Sequence, residues 1–192
     1  MELHGKMRYT LEEFKTQIKA STLKVGDELE IYDIAGEAIF EVAEVRKKNI
    51  YMVRKYVLPD DYDKTHHELY DFLNNDYLNS LPEELEAIIK KRKGSRIFVP
   101  YFNEVYGEDF DCSWADRSKG KQWAIFKKTK GKIRIGGDKF GWARWYWLAS
   151  PPISHSTHFC IVYASGAPSY NTTSASHGVL PCFKINREAV AE

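Results

Sequence analysis

Thr10-Leu11-Glu12-Glu13 opens the first regular pattern of the chain. A threonine followed three residues later by a glutamate is a capping box. The hydroxyl accepts from the Glu13 amide and the carboxylate returns to the Thr10 amide. Leu11, Phe14 and Ile18 then recur at helical spacing, Tyr9 is placed to staple against Phe14, and the helix is expected to end near Ala20. After Val25-Gly26-Asp27 the period changes to two. Leu29 and Ile31, then Ile39, Val42 and Val45, then Ile50, Met52 and Val53 predict a three-stranded meander turning at Ala35-Gly36 and Lys48-Asn49.

Helical spacing returns over His67–Tyr77, where Leu69, Phe72, Leu73 and Tyr77 share a face. A further helix is predicted over residues 81–92, with Ser80 as N-cap, Pro82 in the first turn and Glu83 and Glu84 at the positive end of the dipole. Its apolar face is Leu85, Ile88 and Ile89, and Lys90 to Lys93 suit its C-terminal end. Ile97-Phe98-Val99 reads as a short buried strand stopped by Pro100. Beyond it, the strand-like runs Trp147–Pro151, Phe159–Tyr163 and Gly178–Ile185 are separated by two segments of small polar residues, Ile153–Thr157 and Ala167–Ser176, which read as loops. No repeat or low-complexity linker breaks this order. The expectation is one α+β domain over residues 1–192, with residues 1–24 as a helical appendage and the β-rich half at the C-terminus.

Composition adds bounds. At 192 residues, 43% hydrophobic and 14% aromatic, the chain carries enough apolar material for a substantial core, which excludes a wholly disordered protein. Lys plus Arg (28) nearly cancels Asp plus Glu (27), so the net charge of +1 gives no general pull toward nucleic acid. The local distribution is uneven. Glu104, Glu108, Asp109, Asp111 and Asp116 occur without a Lys or Arg among them. Arg117, Lys119, Lys121, Lys127, Lys128, Lys130, Lys132, Arg134 and Lys139 follow, opposed only by Asp138. A solvated charged segment is the simpler reading of residues 117–139. A basic ridge for a phosphate backbone, with Trp123 and Phe126 as stacking platforms, is the sharper one. No apolar run approaches the roughly 18 residues needed to span a bilayer, and Met1–Tyr9 lacks the apolar core of a secretory signal. Cytoplasmic residence without a membrane partner is therefore expected. Cys112, Cys160 and Cys182 are odd in number and far apart, which argues against a disulfide framework.

Val25-Gly26-Asp27, Leu69–Leu81, Ile97–Pro100, Trp147–Pro151 and Gly178–Ile185 fall in the order seen in domain-of-unknown-function family 6273, found in Gram-positive bacteria and their phages. The resemblance spans roughly residues 25–185. Its signature, a Trp-Leu-Arg-Ser-Pro strand paired with a later Gly-Val-Arg-Pro strand, also resembles the C-type-lectin-like core of formylglycine-generating enzymes and of diversity-generating-retroelement variable proteins. The resemblance implies a small twisted antiparallel sheet as a rigid base, with ligand-binding loops above it. It also implies that Trp147-Leu148 and Phe183–Ile185 lie on neighbouring strands of one C-terminal sheet, with the helices packed outside. The chain departs from the signature twice: Ala149 and Leu180 stand where the family has arginines. Losing one buried cation alone would strand its partner, so the double loss points to a polar arrangement replaced by apolar packing.

His155, His158, Cys160 and His177 are of metal-ligating type, with Cys182 nearby, yet their spacing presets no tetrahedral site. His158 and Cys160 fall on one strand face, where packing accounts for Cys160. No metal and no cofactor is expected. Formylglycine-generating enzymes use a close cysteine pair for copper, and Cys160 with Cys182 could meet only across neighbouring strands. His66-His67 beside Asp60, Asp61, Asp63, Glu68 and Asp71 reads as an acidic, solvated helix start, with a hydrolytic cation site as the sharper alternative. Ser150 lacks the Gly-x-Ser-x-Gly elbow of a nucleophile, and Gly136-Gly137 reads as a turn. Of the five tryptophans, Trp145 and Trp147 share one strand face and Tyr146 shares the other with Arg144 and Leu148. Most of these rings belong in the core, leaving one or two free to anchor a partner.

The leading expectation is a non-enzymatic binding module, phage- or prophage-associated by its resemblance, that engages a protein or other macromolecule through loops. Tyr170, Asn171, Ser154, His155 and Trp145 are the candidate contacts, since Ser, Asn and Thr around a rigid aromatic give adaptable recognition. An enzyme or metal-dependent protein on the formylglycine-generating core is the runner-up. Nucleic-acid binding through Lys127, Lys128, Lys130, Lys132 and Arg134 is the third reading.

Overall fold

A computed structural model of the chain describes residues 6–137 and 141–190. The first capping box forms. After the two-residue strand β1 (Arg8–Tyr9), Thr10 N–H donates to Glu13 Oε2 at 2.8 Å at the start of α1 (Leu11–Ala20), and the Tyr9 and Phe14 rings meet at 6.4 Å. The meander follows as β2 (Glu28–Asp33), β3 (Gly36–Val45) and β4 (Asn49–Arg54). The short strand β5 (Lys64–Thr65) leads into α2 (His66–Phe72), which continues through a π turn to Tyr77. Thr65 and Glu68 make a second capping box there.

The third helix is shorter than its periodicity predicts. α3 covers only Glu83–Ile88, begins after Pro82, and gives way to strand β6 (Ile89–Lys90). Ser80 is not its cap: its hydroxyl donates to Tyr77 O, 2.7 Å away, inside a 3-10 turn. The helix stops because Ile89 and Lys90 pair with Ile185 and Lys184, so a ladder replaces further helical bonds. Ile97-Phe98-Val99 is buried and, among the described residues, makes a single bridge, Phe98 with Cys182. The short helices α4 (Phe102–Tyr106) and α5 (Thr129–Lys132) lead to the ribbon of β7 (Arg134–Ile135) and β8 (Ala143–Arg144). The final strands are β9 (Tyr146–Trp147), β10 (His158–Val162), β11 (Pro168–Thr172), β12 (Ser176–His177) and β13 (Cys182–Asn186).

Sheet connectivity corrects one expectation. Trp147 and Phe183 belong to different sheets. A six-stranded sheet runs β1-β2-β3-β4-β13-β6, and a three-stranded one runs β11-β10-β9. Trp147 pairs with Ile161, whereas Phe183 pairs with Met52 of the meander. The segment after β12 does run beside β9, through a Tyr146–Gly178 bridge with Trp147 N–H donating to Gly178 O at 3.2 Å. Pro181 has no amide to prolong that contact. Its carbonyl instead accepts from Arg54 N–H at 2.9 Å, and pairing with β4 starts there.

Alternation along the strands feeds two apolar clusters. Ile50, Met52, Phe183, Trp147 and Ile161 join Phe14, Leu69 and Leu85 from the helices in the first. Tyr51, Val53, Cys182, Tyr146, Leu148 and Cys160 join Phe98, Phe102, Trp123 and Phe126 in the second. Leu180 is buried in the second cluster, while Ala149 packs against the first, so the two departures from the signature face different clusters. Beside them Arg54 Nε donates to Asp33 Oδ2 at 2.8 Å, and Tyr77 OH donates to the same oxygen at 2.6 Å, all three side chains being buried.

Candidate functional site

Three segments distant in sequence meet around an open cleft of about 680 Å³: Pro59–Asp63, Gly136 and Gly137 with residues 141–145 around the β7–β8 ribbon, and Ser176–Gly178. Lys139 and Asp138, part of the basic segment, lie outside the described residues. Arg144 forms one wall. It is ion-paired to Asp60 and to Asp63, the latter at 2.5 Å, and donates to Leu58 O at 3.3 Å. Gly178 forms part of the floor. A Cβ there would lie 2.5 Å from Val57 Cγ1 and 2.6 Å from Trp145 O, so only glycine lets the backbones approach this closely.

His177 and the indoles complete the cleft. His177 Nε2 lies 2.9 Å from Asn171 Nδ2, and its ring contacts both Trp145 (5.6 Å) and Trp147 (4.8 Å). With the amide as donor, Nε2 accepts. Burial pulls the His177 pKa below its ordinary value against the opposing pull of Asp63, so the ring is neutral at pH 7. Burial likewise pushes the Asp63 carboxyl up, with Arg144 opposing. Trp145 is part-exposed and leans on Tyr163, 4.4 Å away. Trp142 is 89% exposed.

The other candidates fall in different places. Tyr170 and Asn171 are not in a loop. Most of Ala167–Ser176 is strand, Tyr170 opposite Cys160 and Asn171 opposite Phe159. β10 needs a neighbour on that side, and a polar strand can close a sheet edge while keeping its outer groups wet. Ser154 and His155 stay on the exposed segment, as expected. Tyr170, His155, His158 and Trp114 form a surface cluster with ring separations of 5.1 to 5.6 Å. His177 stands apart from them, and Cys160 is buried beneath, its thiol pKa pushed up by burial. Among the described residues no three His, Cys, Asp or Glu side chains gather to hold a metal ion. Cys160 and Cys182 lie on strands of different sheets.

The basic segment divides. Lys127, Lys128 and Lys130 are exposed and have no ion pair among the described residues. Lys132 and Arg134 are buried, and Arg134 is committed to Glu41 at 2.5 Å. Trp123 and Phe126 are fully buried, so neither ring is a stacking platform. Both are consumed by the second cluster because the α4–α5 stretch supplies most of its aromatic mass. His66 is also buried, stacked on Phe159 at 3.4 Å, and is no part of a solvated helix start.

The residues missed by sequence reasoning are Arg144 and Trp142 as cleft walls, and Asp60, Asp61 and Asp63 as their counterparts. An isolated tryptophan between Gly141 and Ala143 was the one local hint. Nothing in the linear pattern brings residues 59–63 to 141–145.

Most of the segments that build this cleft fall within a known family's match. Residues 62–187 match the family described as Domain of unknown function (DUF6273). The chain belongs to DUF6273. The DUF6273 match includes β5 and β7 through β13, and therefore most of the cleft, but it starts after the meander. No curated protein and no solved structure gives a significant match. Among the described residues no helix is long and apolar enough to cross a membrane.

Proposed function

We propose that this DUF6273 protein is a non-enzymatic binding module and that the cleft walled by Trp142, Arg144, Trp145 and His177 seats its ligand. The observation carrying this reading is Trp142, left 89% exposed at the rim of a built cavity. An exposed indole adds nothing to folding, and tryptophan is enriched among the few residues that dominate binding energy once a partner buries them. Rigidity supports the same reading. Arg144 is fixed by two carboxylates and a carbonyl, and preformed walls reduce the entropy lost on association. The three-stranded sheet beside the cleft suits a C-type-lectin-like scaffold, in which a small rigid sheet carries the contact surface. The partner is a protein or other macromolecule, and the association of the family with phages suggests a host macromolecule as its specific form.

The test is retention of partners from host extract by wild type and variants whose melting temperatures match. Loss with Trp142→Ala supports the cleft. Loss only with Tyr170→Ala moves the working surface to β11 and its imidazole cluster. Loss only on charge reversal of Lys127, Lys128 and Lys130 moves it to the basic segment.

A further inference from the structure

The charge of the cleft points to a ligand class. Its lining holds three carboxylates, Asp60, Asp61 and Asp63, against one guanidinium, Arg144, a net of −2 with His177 neutral. Asp63 and Asp60 turn toward Arg144, but the Asp60 side chain remains 86% exposed. Asp61 is exposed and has no ion pair among the described residues. The unspent carboxylate charge therefore borders the same opening as the two part-free indoles, Trp142 and Trp145.

Indole faces attract cations through the ring quadrupole, and nearby carboxylates add a longer-range attraction. A neutral sugar would use the rings and gain nothing from the excess charge. A phosphate or acidic segment would be repelled. We infer that the cleft takes the ammonium or guanidinium side chain of a basic peptide segment, held between the indole faces of Trp142 and Trp145 and the carboxylates of Asp60 and Asp61. This rests on the reading of the cleft as a ligand seat. Arg144 sets the depth: braced by Asp63, it blocks the inner wall to a cation and keeps the ligand charge at the outer rim.

Four short peptides that differ only in carrying lysine, arginine, glutamine or glutamate test this by indole fluorescence and calorimetric titration. The lysine and arginine peptides are expected to bind roughly tenfold or more tightly than the glutamine peptide, with weakening at higher salt. The glutamate peptide is expected not to bind. Asp61→Asn and Trp142→Ala should each weaken the lysine peptide roughly tenfold without shifting the melting temperature. Absence of binding by both basic peptides, or a lysine affinity indifferent to Asp61→Asn, overturns the inference. If the glutamine peptide binds as well and depends on Trp142, the seat stands and only the charge assignment fails. If no peptide depends on Trp142 while retention of host partners still does, the charge assignment fails and the seat stands; if neither depends on Trp142, both fail.

Discussion

Trp147 and His66 show how much a single buried ring decides here. Trp147 is fully buried in the first cluster, and its indole N–H donates to Lys64 O at 2.8 Å. Trp147→Ala is expected to cost about 3–5 kcal/mol in denaturant unfolding, a large share of the stability of a domain this size. His66 packs between Phe159 and Trp147, and burial lowers its pKa from the ordinary 6.5 to about 4. The sign follows from the neutral form being the one that fits. Between pH 6.5 and about 4 the unfolded chain takes up a proton that the folded chain refuses, so stability falls as pH falls through that window. The loss is roughly 3 kcal/mol once the pH is below both values. His66→Phe should keep the stack and flatten this part of the stability–pH curve. An unchanged slope in paired urea titrations at pH 4 and pH 7 would contradict the burial argument.

At the scale of elements, the decisive contacts are where strands approach without room for side chains. Gly178 lets the segment before β13 lie against β9 and the floor of the cleft. Gly178→Ala should destabilise by about 1–3 kcal/mol through overpacking against Val57 and the Trp145 carbonyl. It should also disturb the indole fluorescence of Trp145, which a change confined to the far sheet would leave alone. The Asp33–Arg54–Tyr77 cluster ties β2 and β4 to the end of the α2 turn. Arg54→Met leaves the Asp33 carboxylate buried without its cation and should cost about 3–5 kcal/mol, while Arg54→Met with Asp33→Asn, which removes the stranded charge and keeps an acceptor for Tyr77 OH, should recover part of it. A double-mutant cycle measures that recovery.

For the whole molecule, the sheet order carries a consequence for the family boundary. The DUF6273 match begins at residue 62, yet β13 inside it lies between β4, outside it, and β6. Residues 62–187 alone would expose the β13 edge and the apolar faces of Phe183 and Ile185. We expect that fragment, expressed by itself, to lack a cooperative unfolding transition. Mixing it with residues 1–61 should restore one if the meander supplies the missing edge. A cooperative melt of the isolated fragment would show that the meander is dispensable.

What was legible in the sequence is what depends on near neighbours. The Thr10–Glu13 box, the meander and its two turns, and the helical stripe from Leu69 to Tyr77 each follow from contacts within a few residues. Thr65-His66-His67-Glu68 is a box of the same kind and was readable by the same rule. The alternation Trp145-Tyr146-Trp147-Leu148 likewise announced two faces, though not that each face would meet a separate cluster. Tertiary structure alone decided the rest. Ile89 leaves its helix because β13 offers a ladder, and the polar run at Pro168–Thr172 becomes a strand because β10 has an edge to cover. Arg134 is buried because Glu41 waits for it, ninety-three residues away. The cleft needs Asp60 and Asp63 to find Arg144 across some eighty residues of chain. Such pairings depend on which surfaces the folded chain brings together, and no local period or spacing records them.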